Sequence, residues 1–515
     1  MGFAFRKRQV PVARKAGRRY RGFANGSEGW TRLPDQQQAT DNRNARAAQP
    51  RRGDARAAHL VLLAVAAALA AITFCLGRQP DLKTHVPEFI GLSLGAGAFY
   101  LVGVYFVERV RLGRAALVTI LGSAVVFRLC LLPSEPQLSD DVYRYQWEGR
   151  VERAHINPYE VSPESPGVRS LEDPRHPLAN WAVSTLYPPL SEVAFSWVKT
   201  VAGYKRLFTA LDLGSVGLLL LLLATAKQPL QRVLIYAWNP TVLVSFALCG
   251  HHDSLAILTL LAADLLILAH RRVPAMVFLA LSFLAKFFPV VLLPVFLKQT
   301  SPHPQPLSPR ERRDDLTDRK PALSPRERVA EGRVRGPKAT LPAWLGAGVF
   351  AAVALLGYLP YLRAGPKLFG GLSDYAAGWE ANDSFFRLVL RAGNSKAQAE
   401  LVTGVMALAL VAYALKKRIE PLRASLLVTA GLVMLSPTAF PWYFTWSVPF
   451  LCFYPCAPWL LMSVTAVLGY APVVAYAAGQ PYRDSPFILA LEYVPVYLWL
   501  GIALAGRARA RGASG

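Results

Sequence analysis

The sequence predicts an all-α fold, a polytopic transmembrane helical bundle of about 12–14 spans with irregular loops and interfacial helices on its outer side. The 515-residue chain is 53% hydrophobic and only 17% charged, whereas soluble domains average about a quarter charged residues. Its charges are concentrated in a few segments, and the rest consists of apolar runs near the roughly 20 residues that a spanning helix needs. A soluble core cannot accommodate so many helices that are apolar on every face, so the pattern excludes a soluble protein.

The apolar runs follow one another from residue 59 to residue 506. Lys286 and Pro289 interrupt the run 274–298, which predicts two short helices joined by irregular backbone that lines a cavity. The candidate spans are 59–77, 88–108, 114–132, 205–226, 229–249, 253–270, 274–298, 341–362, 398–415, 421–436, 443–456, 458–478 and 486–506.

Basic residues predict the orientation, because cytoplasmic loops are enriched in Lys and Arg. Residues 1–58 hold 14 Lys or Arg against 4 Asp or Glu, and residues 299–340 hold 10 against 6. Both segments are predicted to be cytoplasmic and disordered, and the second contains a polar repeat that begins at Leu307 and again at Leu323. The loop 133–204 is then predicted to lie outside, with 189–203 as an interfacial helix.

These segments divide the chain into five predicted parts. They are a disordered basic arm (1–58), an N-terminal transmembrane catalytic module (59–298), a disordered cytoplasmic insert (299–340), a C-terminal transmembrane module (341–506) and a cytoplasmic tail (507–515). This organisation predicts a multi-pass protein of the inner cell membrane, with the lipid bilayer as its first partner.

Nucleic acid is not a predicted partner, although the formal net charge is +24. The basic residues lie outside the apolar runs, and no zinc-type or aromatic-interleaved motif accompanies them. The five cysteines lie in or beside apolar runs without metal-ligand spacing, which favours small apolar packing residues over a disulfide framework. We expect no cofactor and no bound metal.

The first motif with chemical potential is the pair Asp140 and Asp141, which follows an apolar span at the predicted outer face. One carboxylate is a candidate general base for an acceptor hydroxyl, and the other would hold the loop or bind the sugar. Arg144, one turn later, could pair with Asp140 or bind a phosphate. The alternative is structural: Ser139 caps a helix whose first turn is acidic.

Further candidates lie in the same loop and in the other predicted outer segments, and each has a plain structural alternative. Tyr145 and Trp147 could stack on a sugar or anchor the interface, and Tyr187 could belong to a simple turn before a helix. His251, His252 and Asp253 give poor metal geometry and favour substrate or loop hydrogen bonds, or a helix cap. Lys286 would either snorkel or meet a lipid phosphate. The remaining candidates, which could equally be aromatic-belt residues, are Trp379, Asn382, Trp442 and Tyr443.

This ordered set of motifs resembles the GT-C superfamily of membrane glycosyltransferases, and in particular the polyprenol-phosphate-mannose-dependent mannosyltransferases, including glycosyltransferase family 87. The resemblance runs from about residue 60 to residue 506 and omits the insert. It implies GT-C-like outer loops, inverting transfer on the outer face from a polyprenyl-phosphate sugar, and a catalytic acid in the first large outer loop. That acid corresponds to Asp140 or Asp141.

The leading hypothesis is therefore a membrane enzyme that transfers a mannose-like hexose from a polyprenyl-phosphate sugar to a glycan or lipid-linked acceptor on the non-cytoplasmic face. Asp140 or Asp141 would be the base, and Lys286 with Arg144 would stabilise the phosphate. The alternative is a transporter or flippase of lipid-linked sugars, which should show repeated pairs of broken helices, and only one broken run is evident. A scaffold without activity would leave the outer-loop acids unexplained.

Overall fold

Helices account for the regular structure in the described part of the chain, which a computed structural model gives for residues 52–173, 182–299 and 342–512. The α-helices are α1 (Arg52–Gly77), α2 (Val86–Arg109), α3 (Arg114–Leu131), α4 (Asp141–Arg153), α5 (Pro189–Trp197), α6 (Val201–Thr225), α7 (Leu234–Ala237), α8 (Pro240–Leu243), α9 (Asp253–Leu268), α10 (Arg272–Ala285), α11 (Leu293–Gln299), α12 (Ala343–Tyr358), α13 (Gly370–Gly378), α14 (Phe385–Arg391), α15 (Lys396–Lys416), α16 (Pro421–Leu435), α17 (Val448–Leu451), α18 (Ala457–Thr465), α19 (Val473–Ala477) and α20 (Pro486–Gly512).

Tighter or wider helical turns join several of these helices. The 3₁₀ segments are Arg169–Leu171, Leu230–Val233, Phe288–Leu292, Leu359–Phe369, Pro441–Trp446 and Ala466–Tyr470, and Val244–Leu248 is a π-helical turn. The β-structure within the described ranges is one isolated parallel bridge between Ala381 and Thr438.

The prediction of an all-α polytopic membrane protein is confirmed. Seven of the described helical segments are long and apolar enough to cross a membrane, namely Ala55–Gly77, Val86–Arg109, Arg114–Leu131, Val201–Thr225, Ala343–Gly378, Lys396–Lys416 and Ala457–Ala477. Shorter apolar helices are Arg272–Ala285, Phe288–Lys298, Pro421–Leu435 and Pro486–Ile502. Fewer described helices reach spanning length than the 12–14 expected, because several predicted runs are divided into short segments.

The break predicted within 274–298 is confirmed. Helix α10 ends at Ala285, Lys286 has an extended backbone, and a 3₁₀ turn containing Pro289 leads into α11. A break leaves carbonyl oxygens of the preceding turn without their helical partner. Here the Ser191 hydroxyl of α5 donates a 2.7 Å hydrogen bond to the Ala285 carbonyl.

The continuous span predicted at 229–249 is wrong, and so is the one at 443–456. Pro240 begins α8 after Asn239, whose side chain accepts the Val242 N–H, and a π-helical turn follows. Proline cannot donate the helical hydrogen bond, which ends one helical segment and starts another. Residues 233–254 are nearly all fully buried, and such broken backbone is tolerated at membrane depth only inside protein.

Smaller differences concern helix ends and the predicted interfacial helix. Helix α1 already begins at Arg52 and α20 continues to Gly512, beyond the limits predicted at 59 and 506. The helix expected at 189–203 ends at Trp197, and residues from Val201 belong to the long α6. The disorder predicted for 1–58 is wrong for residues 52–58, which belong to α1. The rest of the predicted disordered segments, 1–51 and 300–340, lies outside the described residues.

Helix packing brings loops from the N-terminal part and from the C-terminal part of the described chain to one place. Helices α9, α10 and α6 pack side by side, α1 packs on α2 and α3, and α4 packs on α5. Three segments converge there, namely the loop before α4, the break after α10 and residues 440–443. Residues from 375–381 and from 469–482 line the same place.

Candidate active site

A pocket of about 820 Å³ opens where these loops converge. Eight of the predicted site residues line it, and they come from segments far apart in the sequence: Asp140, Asp141, Arg144, Tyr187, Lys286, Trp379, Trp442 and Tyr443. The other six predicted residues, described below, lie behind its walls. A cavity of this size with few convergent charged groups is typical of a small-molecule site.

The two adjacent acids of the first motif have different environments. The backbone of Asp140 precedes the first turn of α4, but its carboxylate caps no N–H and instead pairs with Lys83 at 3.2 Å. Asp141 begins α4, and its backbone N–H donates to the Ser139 hydroxyl at 3.3 Å. Ser139 therefore accepts an N–H at the start of α4, as the structural alternative predicted, and Asp141 lies in the first turn.

Asp141 is held from behind by two buried groups. Its Oδ2 lies 3.3 Å from His251 Nδ1 and accepts a 3.5 Å hydrogen bond from the Tyr145 hydroxyl. The carboxylate is 37% exposed, whereas His251 is completely buried. Among the described residues that line the pocket, it is the carboxylate without a lysine or arginine ion pair, because Asp140 pairs with Lys83 and Glu380 with Lys396.

These neighbours keep Asp141 ionised. Burial alone would raise the pKa of its carboxyl group, but the contact with His251 and the charge of Lys286 outweigh burial and lower the pKa below its usual value. The carboxylate can therefore accept a proton from a substrate hydroxyl without first losing one of its own.

Lys286 contributes the cation on another side of the pocket. Its ammonium lies 3.0 Å from Asp253 Oδ1 and 5.0 Å from the centre of the Tyr443 ring. Asp253 is fully buried and also accepts a 2.7 Å hydrogen bond from the Trp446 indole. Burial excludes the substrate contact predicted for Asp253, whose carboxylate orients Lys286 instead.

Arg144 is anchored differently from the prediction. The expected pairing with Asp140 is wrong, since its Nε donates to Glu148 Oε1 at 2.7 Å and its Nη2 donates to the Val183 carbonyl at 2.9 Å. Trp147 is only 2% exposed, and the guanidinium lies 4.8 Å from its ring centre. Trp147 therefore supports Arg144 and offers no face to a sugar.

Tyr145 and His252 are both completely buried and form part of an aromatic cluster behind Asp141. His252 Nδ1 lies 3.0 Å from the Tyr145 hydroxyl, and Tyr145 stacks on Phe195 with ring centres 4.5 Å apart. Tyr187 packs edge-to-face against Tyr145 and reaches the pocket. The predicted sugar contacts of Tyr145 and His252 are not possible from these positions, and both support the Tyr145–Asp141 hydrogen bond.

Trp442 and Tyr443 are neighbours in sequence whose rings are perpendicular, with centres 6.0 Å apart. Trp442 stacks on His251 at 3.9 Å, next to Asp141, and Tyr443 lies under Lys286. The 3₁₀ turn 441–446 produces this divergence, because consecutive side chains on it point in different directions. The segment 441–446 therefore contacts both His251, which holds Asp141, and Lys286.

Trp379 lies at the pocket wall beside Tyr375, with ring centres 5.4 Å apart. Asn382 is 1% exposed, and its side-chain amide donates to the Ala439 carbonyl and to Glu492. It has a positive φ of 50°, which Asn tolerates better than most residues. Asn382 thus fastens the Trp379 loop to the neighbouring segment, and the substrate contact predicted for it is not possible.

A second buried carboxyl, Glu192, lies near Glu148 behind the pocket. It accepts a 2.6 Å hydrogen bond from Thr185, and its Oε2 has no partner among the described residues. Burial and the nearby charge of Glu148 raise the pKa of Glu192 well above its usual value. Glu148, by contrast, forms an ion pair with Arg144 at 2.7 Å.

Sequence reasoning did not identify several pocket residues. Lys83, in the short loop between α1 and α2, could have been identified from the sequence, because cations are uncommon in loops that the charge pattern predicts to be outside. No sequence feature distinguished Tyr375, Tyr476 and Tyr482, because aromatic residues are common at membrane surfaces. Across 52–173, 182–299 and 342–512, no three His, Cys, Asp or Glu side chains are grouped to hold a metal ion.

The pocket therefore combines an ionised acid that is free to take a proton with a cation positioned by a buried acid. A base of this kind activates a hydroxyl group, and a cation stabilises the negative charge of a departing phosphate. Such a pair suits the transfer of a group from a phosphate carrier to a hydroxyl.

Comparison with known families agrees with this chemistry. A family model described as alpha-(1->6)-mannopyranosyltransferase, N-terminal domain, matches residues 70–300, and a model described as the MptB C-terminal domain matches residues 392–505. The first match contains Asp141, His251 and Lys286, and the second contains Trp442 and Tyr443. Comparison with curated proteins gave no significant match. Comparison with solved structures gave none either.

Proposed function

Because the chain belongs to the alpha-(1->6)-mannopyranosyltransferase family and is a membrane glycosyltransferase, we propose that it transfers mannose from a polyprenyl-phosphate carrier to the 6-hydroxyl of an acceptor glycan. The transfer takes place on the non-cytoplasmic face of the inner membrane. Membership of a transferase family favours this function over the transporter alternative.

Asp141 is the proposed catalytic base. It accepts the proton of the acceptor hydroxyl as the acceptor oxygen forms a bond to the anomeric carbon. The bond from that carbon to the phosphate oxygen breaks, and polyprenyl phosphate leaves with the electron pair. Attack opposite the leaving group inverts the anomeric centre, so an α-linked product comes from a β-linked donor.

The observation that supports this assignment is the difference between the two adjacent acids. Asp141 faces the pocket without a lysine or arginine ion pair and with a lowered pKa, whereas Asp140 is paired with Lys83. A base needs a free, ionised carboxylate within reach of the hydroxyl, and an acid neutralised by a lysine meets that need less well.

Lys286 is the proposed partner of the donor phosphate. Its side chain is 16% exposed, reaches the pocket and lies among the aromatic rings of Tyr443 and Trp446. A cation held in such a water-poor position stabilises the phosphate charge that develops as the sugar leaves. Asp253 and Trp446 would keep the ammonium in place during this step.

The test uses purified protein in lipid nanodiscs with radiolabelled polyprenyl-phosphate mannose and an α-mannoside acceptor. We expect a mannosylated product that a 1→6-specific mannosidase digests, and no product from a nucleotide-sugar. Transfer from the nucleotide-sugar without any polyprenyl carrier would refute the donor assignment.

The orientation is tested separately by labelling. Ser170 is exposed in the loop 133–204, so S170C in a cysteine-free background should react with a membrane-impermeant maleimide added from outside. Labelling only after the membrane is permeabilised would contradict the proposed outer location of the pocket.

A further inference from the structure

We propose that a wall of the pocket formed by Tyr476, Tyr482 and Phe440 is the acceptor subsite, and that it binds the terminal sugars of a neutral oligosaccharide. This proposal rests on the proposed function, since it takes Asp141 as the base and Lys286 as the phosphate partner. No step of the proposed reaction uses these three aromatic residues.

The wall is a continuous series of rings that leads to Asp141. Tyr476 and Tyr482 have ring centres 6.2 Å apart, and Tyr482 and Phe440 are separated by the same distance. Phe440 stacks on Trp442 at 4.6 Å, which in turn stacks on His251, and His251 contacts Asp141. Apart from the buried His251, every ring of this series lines the pocket.

A second series of aromatic rings extends from the Trp442–Tyr443 pair toward Lys286. Tyr443 lies under Lys286 and shares a 2.9 Å hydrogen bond with the Tyr375 hydroxyl, and Tyr375 adjoins Trp379. The two series therefore diverge from the perpendicular pair Trp442 and Tyr443. One contains the phosphate partner, and the other contacts the base.

Inverting transfer determines which substrate each series would contact. The acceptor oxygen must approach the anomeric carbon from the face opposite the leaving phosphate. With the phosphate at Lys286, the acceptor lies on the other side of Asp141, along Trp442, Phe440 and Tyr476. A primary 6-hydroxyl projects from its ring, so the acceptor ring can rest on the wall while its oxygen reaches Asp141.

The charges of this wall favour a neutral ligand. The pocket-lining charges next to it, Lys83 and Asp140, are already paired with each other, so neither offers a free ion for a charged acceptor. The other polar groups there include the exposed amide of Gln480, whereas the amide of Gln137 is hydrogen-bonded to the backbone of Pro80 and Leu82. Aromatic faces with amides suit the apolar faces and hydroxyls of sugars, whereas a phosphate would need an available cation.

Tyr476 tests the proposal most directly, because its side chain is 41% exposed and its removal leaves no cavity in a packed core. With α-(1→6)-linked mannotriose as the acceptor, we expect Y476A to raise the KM for the trisaccharide about tenfold, the usual cost of truncating an aromatic contact. The KM for polyprenyl-phosphate mannose should not change, and Y476F should restore the acceptor KM.

Two further variants serve as controls. Y413A removes a tyrosine that is 51% exposed on α15, outside the pocket lining, and should leave both KM values unchanged. Q480A removes an exposed pocket amide and should raise the acceptor KM several-fold, which provides a second test if Y476A is poorly folded. A rise in the donor KM, or an unchanged acceptor KM in both Y476A and Q480A, overturns the subsite.

Binding without donor separates this proposal from the proposed function. Saturation-transfer NMR on the intact protein should detect mannotriose with the wild type and Y476F, and about tenfold weaker binding with Y476A. If the wild type binds the trisaccharide but transfers no mannose, the proposed function fails and the subsite stands. If Y476A binds it as well as the wild type, the subsite fails. Tighter binding of a phosphorylated trisaccharide would overturn its neutral character.

Discussion

Replacing Asp141 with Asn removes the negative charge of the proposed base while keeping the size of the side chain. The contacts that hold the carboxylate, 3.3 Å to His251 and 3.5 Å from the Tyr145 hydroxyl, are also within reach of an amide. Because the side chain is partly exposed in the pocket and an amide keeps its size, the substitution leaves no cavity in the packed core. The loss of activity therefore measures the charge itself.

The expected loss of rate follows from the proposed role of Asp141 as a general base. A general base contributes about 10²–10⁴-fold to the rate, or about 3–5 kcal/mol, and D141N should lose that much in kcat. The matched variant is D140N, one residue away, which removes an ion pair whose side chains are 41% and 33% exposed. Such pairs contribute at most about 1 kcal/mol, which corresponds to no more than about a fivefold effect.

The assay is single-turnover transfer with saturating donor and acceptor, so that binding does not limit the rate. The two variants should differ by at least about twentyfold, with similar thermal unfolding of both proteins in detergent. Equal losses in the two variants, or more than a tenth of the wild-type rate in D141N, would refute the division of roles between the adjacent acids.

Three further predictions concern the pocket cation and two groups behind the pocket. K286Q should raise the KM for the polyprenyl-phosphate donor at least about tenfold and leave the acceptor KM unchanged, because the phosphate loses its cation; steady-state kinetics with each substrate varied checks this. H251Q should move the acidic limb of the pH–rate profile to higher pH, because His251 lowers the pKa of Asp141; an unmoved limb would contradict this link. Since the raised pKa of Glu192 means that the folded protein holds a proton which the unfolded chain releases, wild-type stability should fall as the pH rises above the usual range of a glutamate. E192Q should lessen that fall, measured by thermal unfolding over a pH series, and an unchanged slope would count against a raised pKa of Glu192.

The sequence predicted the broad architecture well, because membrane insertion depends on local composition. Apolar runs of spanning length are detectable without any tertiary contact, and the break at Lys286 was evident because a lysine and a proline interrupt one such run. The spans expected at 229–249 and 443–456 failed for a related reason. Their prolines were hidden in otherwise apolar sequence, and only the surrounding protein allows that broken backbone to be buried.

The candidate site was predicted in part. Of the ionisable candidates, Asp140, Asp141, Arg144 and Lys286 reach the pocket, whereas His251, His252 and Asp253 lie behind its walls. The aromatic candidates divided in the same way. Tyr187, Trp379, Trp442 and Tyr443 line the pocket, whereas Trp147 and Tyr145 proved to be buried supports, as did the amide of Asn382. Aromatic residues anchor interfaces, pack cores and line pockets with similar frequency, so residue type alone did not separate these roles.

The sequence by itself determined that this chain is a helical membrane protein with most of its charge outside the apolar runs, because the free energy of placing each residue in lipid or water depends mainly on that residue and its neighbours. Only the tertiary structure decided which of two adjacent carboxylates is free. Residues 83 and 251 lie far from position 140 in the chain, and the folding of their helices gives Asp140 a lysine and Asp141 a buried histidine. The chemistry of an ionisable group depends on the charges within a few ångströms of it, and those distances arise only when the helices pack.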